Sequence, residues 1–94
     1  MIRVVIKREA KDVGILMDFL RQLRRSALPE PGYVTGETLI NINNRQIVTV
    51  ISTWRSLEDW KRWETSAQRD EIAREIEPLL VTQPSTEIYE LLSA

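Results

Sequence analysis

The chain has 94 residues, 43% hydrophobic and 29% charged, with 13 lysines and arginines against 14 acidic residues for a net charge of -1. That balance leaves no positive excess to neutralise nucleic-acid phosphates or anionic lipid, so neither nucleic acid nor a membrane is an expected partner. Cysteine and histidine are both absent, which removes disulfides, thiolate nucleophiles, sulfur-ligated metal, the usual neutral-pH base and the commonest metal and haem ligand.

Residues 2–8 read as a strand, with Ile2, Val4 and Ile6 on one face and Arg3, Val5 and Lys7 on the other. Arg8, next along, belongs to the face opposite Lys7. The N-terminus has no signal-peptide pattern and no apolar run is long enough to span a bilayer, so a cytoplasmic location is expected. Residues 12–28 form an amphipathic pattern in which Leu16, Phe19, Leu20, Leu23 and Ala27 recur at helical spacing and Asp12 stands at the N-cap or first turn. Pro29-Glu30-Pro31-Gly32 stops that helix.

Residues 33–42 and 45–54 read as a hairpin about Asn43-Asn44. A two-residue loop sets Ile40 opposite Ile47, Leu39 opposite Val48, Glu37 opposite Val50 and Tyr33 opposite Trp54. Both faces of the run Ile47-Val48-Thr49-Val50-Ile51 are apolar, which predicts burial on two sides. One side packs on helices and the other on something beyond one subunit, read here as a second copy. Ser56-Leu57-Glu58-Asp59 resembles a capping box opening a short helix on which Leu57, Trp60 and Glu64 share a rough face, with Trp63 and Ala67 close by. Thr65-Ser66 breaks it, and Ala67 to Pro78 forms a further helix burying Ile72, Ala73, Ile76 and Leu79. The charged positions Arg69, Asp70, Glu71, Arg74, Glu75 and Glu77 read as its solvated face. Residues 87–92 make a last strand. The order is β-α-β-β-α-β, the α+β ferredoxin-like pattern of a four-stranded antiparallel sheet, in a single domain over 1–94.

All three tryptophans fall between positions 54 and 63. Trp54 and Trp60 read as packing, Trp54 against Tyr33 across the hairpin. Arg3 and Lys7 share a strand face, and either reach water at the sheet ends or hold a phenolate or carboxylate. Glu37 either pairs with one of them or, in an apolar pocket, acts as a base of raised pKa.

The opening strand Val4-Val5-Ile6-Lys7-Arg8, the segment Pro31-Gly32-Tyr33, the run Ile51-Ser52-Thr53-Trp54-Arg55-Ser56, the helix Trp60-Lys61-Arg62-Trp63-Glu64 and the closing Ile88-Tyr89-Glu90-Leu91 together resemble the antibiotic biosynthesis monooxygenase family. The resemblance implies a dimeric α+β barrel, two ferredoxin-like subunits packed sheet to sheet. It also implies a pocket for a small hydrophobic or aromatic ligand between sheet and helices. In the haem-degrading branch a pocket Trp matches Trp63, but an Asn matches Lys7 and the iron-binding His matches Ala73, so haem degradation is not expected. The resemblance then implies cofactor-independent oxygenation of an electron-rich aromatic such as a quinol, with no cofactor, Trp63 lining the pocket, Lys7 or Arg3 holding the anion, Tyr33 as a secondary polar contact and Glu37 nearby. A non-catalytic dimeric ligand-binding or stress-related module on the same scaffold is the alternative.

Overall fold

The computed structural model covers residues 1–94. Its elements are β1 (Ile2–Glu9), α1 (Val13–Ala27), β2 (Tyr33–Ile40), β3 (Ile47–Trp54), α2 (Leu57–Glu64), α3 (Ala67–Ile76), a 3-10 turn (Glu77–Leu79) and β4 (Ser85–Glu90). One antiparallel sheet runs in the order β2-β3-β1-β4, so the expected ferredoxin-like α+β fold is present, with its second helical region split into α2 and α3. No helix is long and apolar enough to cross a membrane.

Each helix begins on a side-chain oxygen. Asp12 Oδ1 accepts from the Ile15 N–H at 3.1 Å, Ser56 Oγ from Asp59 at 3.1 Å and Ser66 Oγ from Arg69 at 3.2 Å. These caps satisfy N–H groups that have no partner within the helix, at about 1 kcal/mol each. In the box at Ser56 the Asp59 carboxylate accepts from the Ser56 hydroxyl at 2.9 Å. Ser66 caps α3 within two residues of the end of α2, so the break expected at Thr65-Ser66 separates two helices.

Period-two alternation decides what lies under the helices. In β1 the even positions Ile2, Val4, Ile6 and Arg8 are buried, while Arg3 and Lys7 are exposed on the other face. The core has two clusters, one built on Ile2, Val4, Ile6, Ala27, Trp54, Trp60 and Trp63, the other on Ala10, Leu16, Leu20, Val48, Ile76 and Leu80. Each buried tryptophan removes enough apolar surface to contribute roughly 4–6 kcal/mol of gross transfer free energy.

The hairpin differs from its predicted form. Residues 41–46 make the connection, and the register sets Ile40 opposite Val48, Leu39 opposite Thr49 and Glu37 opposite Ile51. No non-glycine residue has positive φ, so Asn43-Asn44 cannot form the tight mirror-image turn that a two-residue loop requires. Asn41 Oδ1 instead accepts from the N–H groups of Asn43 (2.8 Å) and Asn44 (3.1 Å), which widens the loop. A register shift between Tyr33 and Thr35 absorbs the one-residue offset, and Tyr33 still pairs with Trp54. Two smaller departures concern burial and length. Leu57 is 47% exposed because it sits at the first helical position, outside the Trp60–Trp63 face. β4 ends at Glu90 because its partner β1 runs out at Ile2.

Gly32 is the one residue with positive φ, at +86°. A Cβ there would lie 2.1 Å from Asp59 Oδ2, inside the hydrogen-bonded cap of α2. Gly32→Ala is expected to lower unfolding free energy by about 1–3 kcal/mol, through backbone strain and displacement of that cap. Urea titration checks it; an unchanged midpoint contradicts it.

Candidate functional site

A cavity of about 70 Å³ lies between the sheet and the helices, where the two core clusters meet. One water needs roughly 10–15 Å³, so the space takes a few waters, and because it opens to solvent on one side a single-ring ligand can enter it in part. Ile6 and Arg8 of β1, Val50, Ser52 and Trp54 of β3, and Gly36 and Thr38 of β2 supply the floor. Leu20, Leu23, Arg24 and Ala27 of α1 with Trp60, Trp63 and Arg69 make the roof.

Its walls are rigid for identifiable reasons. Trp54 is 1% exposed and its indole N–H donates to Ser52 Oγ at 3.1 Å. Tyr33 meets Trp54 edge to face at 5.3 Å and 82°, and Trp54 meets Trp60 at 5.8 Å and 64°. Arg69 extends the series, its guanidinium carbon 5.3 Å from the centre of the Trp60 ring. Gly36 leaves room for the Tyr33 hydroxyl: a Cβ there would lie 2.6 Å from it.

The electrostatics are one-sided. Arg8 is 5% exposed and forms no ion pair; its Nε has no protein acceptor, and neither has the buried Nε1 of Trp60. Burial, and secondarily the charge of Arg69, pushes the Arg8 guanidinium down to about 10, so it remains a cation at neutral pH. Burial also lowers Arg69, and the nearby Glu64 and Asp70 offset part of that. Those two carboxylates are paired elsewhere, with Lys61 at 3.2 Å and Arg74 at 3.0 Å. Arg8 and Arg69, together with Ile6, also border a second cavity of about 160 Å³ that Ala73 and Ile76 help to line.

The five residues singled out from sequence are divided by the sheet. Trp63 and Tyr33 border the cavity. Glu37 touches it through the main chain, because its register opposite Ile51 turns its side chain to the far face. It makes no ion pair with Lys7 or Arg3. Lys7 and Arg3 lie on that far face, opposite Thr49 and Thr53, and are not joined with Trp63. The cations that do reach the cavity are Arg8, Arg24 and Arg69. Arg69, expected on a solvated face, is half-buried because 69, 72, 73 and 76 form one helical stripe turned toward the sheet. No cluster of three carboxylates is placed to hold a metal ion.

Residues 1–75 match the model of the antibiotic biosynthesis monooxygenase family. No curated protein sequence matches the chain. Among solved structures, a conserved protein from Methanosarcina mazei Go1 superposes with TM-score 0.89 at 24% identity, over 95% of this chain and 90% of that one. SnoaB, a cofactor-independent oxygenase from Streptomyces nogalater, superposes with TM-score 0.90 at 11% identity, over 99% and 94%. Rv0793 from Mycobacterium tuberculosis does so with TM-score 0.88 at 12% identity, over 99% and 96%. At these identities the likeness is one of fold.

Proposed function

The chain belongs to the antibiotic biosynthesis monooxygenase family, and from that premise we propose that it is a cofactor-independent monooxygenase for a small, electron-rich aromatic of phenol or quinol type. The observation that carries the reading is the cavity walled by Trp54, Trp60, Trp63 and Tyr33, with unpaired guanidinium groups at its edge. The similar fold of SnoaB, a cofactor-independent oxygenase, lends support.

The chemistry balances without an outside reductant. A phenol and dioxygen give a quinone and water: one oxygen atom becomes the new carbonyl, and the other leaves as water with the ring hydrogen and the hydroxyl hydrogen. The substrate anion is the electron donor. Guanidinium groups in a poorly hydrated site favour ionisation of a bound hydroxyl, so the cavity can work without histidine or a basic carboxylate. The indole and phenol rings hold the substrate in one orientation and exclude water.

Oxygen uptake with a panel of single-ring quinols and phenols tests the reading. Uptake above buffer is expected, and Trp63→Phe, which keeps a ring in that buried position, is expected to lower it several-fold while circular dichroism stays unchanged. No uptake with any member sinks the proposal. The lining has no histidine, and its one carboxylate residue, Glu37, turns its side chain to the far face; the absence of a general base also favours a second reading, a ligand-binding module without turnover. Saturable tryptophan quenching with no oxygen consumed is its signature.

The bare sheet face supports a homodimer as part of the same proposal. Val5, Ile47 and Ile51 are half-buried there, while Leu39 and Tyr89 stand 44% and 51% exposed. Two such faces in contact would remove this apolar surface from water. Sedimentation equilibrium is expected to give about 22 kDa, twice the 11.0 kDa chain, and Ile51→Lys is expected to give the monomer. A wild-type monomer at micromolar concentration contradicts the pairing.

A further inference from the structure

We infer that Arg8 and Arg69, with the indole N–H of Trp60, form an anion subsite in the cavity between sheet and helices, and that its ligand is a single-ring aromatic carrying an oxyanion, a carboxylate or a phenolate. The assignment deepens the reading of that cavity as a substrate site and rests on it.

Three observations converge. Arg8 occupies the helix-facing row of β1, in line with Ile2, Val4 and Ile6, where a cation is taken out of water. Buried arginines are ordinarily met by a carboxylate, but the only charge acting on Arg8 is the repulsive one of Arg69. Arg8 Nε and Trp60 Nε1 are the two buried side-chain donors without a protein acceptor, and both residues line this one cavity. An unmet buried donor is costly, and two of them beside a pair of like charges define a place for an acceptor that is negative. The planar guanidinium fork matches a carboxylate in two-point contact, and a phenolate oxygen accepts from the same donors singly. The rest of the lining is aromatic and aliphatic, which fixes the body of the ligand as a ring.

A structural role for Arg8 alone predicts something different: insertion of the guanidinium for packing, with no preference for charge in the ligand. The test uses the full chain and three probes of one ring each. Sodium benzoate supplies a carboxylate, 4-nitrophenol supplies a phenolate whose ionisation is read from its absorbance, and benzamide is the neutral counterpart of benzoate. Tryptophan quenching and calorimetry are expected to show saturable binding of at least one anion, at least tenfold tighter than benzamide and weakened by added salt. Tighter benzoate identifies a carboxylate ligand; tighter 4-nitrophenolate, with its absorbance displaced toward the ionised form, identifies a phenolate. Arg8→Met is expected to weaken the preferred anion at least tenfold and leave benzamide unchanged. Arg69→Gln, at a half-buried position over the Trp60 ring, is expected to act in the same direction. Benzamide binding as well as both anions overturns the subsite, and so does an anion preference that survives both substitutions. Anion binding without oxygen uptake would leave the subsite in place and remove only the oxygenase reading. Oxygen uptake from neutral phenols with no preference for the anion would do the reverse.

Discussion

Replacing Trp54 with alanine is expected to lower the free energy of unfolding by about 3–5 kcal/mol, the range for removing a large aromatic from a packed core. A domain of this length has roughly 5–14 kcal/mol in total, so the variant lies close to the threshold of folding. The effect is large because Trp54 is 1% exposed and holds three neighbours at once. It meets Tyr33 edge to face at 5.3 Å and Trp60 at 5.8 Å, and its indole N–H donates to Ser52. Removing it opens a void beside an existing cavity, where little can collapse to fill it. Trp54→Phe keeps the ring and loses the hydrogen bond, and is expected to cost about 1–2 kcal/mol. Urea unfolding at a fixed protein concentration separates the two. Equal midpoints for Ala and Phe would show that the site does not depend on aromatic packing.

The outcome bears on how much of this molecule its sequence reveals. A two-residue hairpin loop places Tyr33 opposite Trp54, and they do pair, although the connection is longer and a bulge between Tyr33 and Thr35 cancels its offset. Helix starts were legible because Asp12, Ser56 and Ser66 carry the side-chain oxygens that free N–H groups require. The family was legible because strand ends and the Trp60–Trp63 helix repeat a pattern of residue types. The cations of the helix-side cavity are not the two that the strand pattern singles out, and the reason is physical. Two cations on one strand face, Arg3 and Lys7, look like a site when that face is assumed to enclose a pocket. The more informative signal was a single cation, Arg8, in the row of Ile2, Val4 and Ile6, because a charge on the buried side has to be compensated. Arg69 carried the same signal one helical turn before Ile72 and Ala73, masked by the acids beside it in sequence. The depth of the cavity and the orphaned donors depend on three helices meeting one sheet, and no single stretch of sequence carries them.

Arg8→Met is expected to act oppositely on stability and on binding. Methionine keeps much of the length of the arginine stem and removes the charge, and such replacements of buried ions are neutral or stabilising by about 1–4 kcal/mol. The guanidinium is pushed to about 10 by burial and by Arg69, and that displacement from its ordinary value corresponds to a cost of about 3 kcal/mol. The sign follows from proton binding. Only above about pH 10 does the folded chain release a proton that the unfolded chain retains, so the cost is fully present at every lower pH. The gain on substitution is therefore expected to be constant between pH 6 and 9, measured by urea unfolding at fixed protein concentration. Ligand then reverses part of it. At a hundred times its dissociation constant an aromatic oxyanion adds about 2.7 kcal/mol to the wild-type fold and little to the variant, which narrows or closes the gap. A variant less stable than wild type without ligand would show that Arg8 is a packing element satisfied by its surroundings. A more stable variant that no longer responds to the anion would show that the uncompensated charge is kept for the ligand, with stability given up for the site.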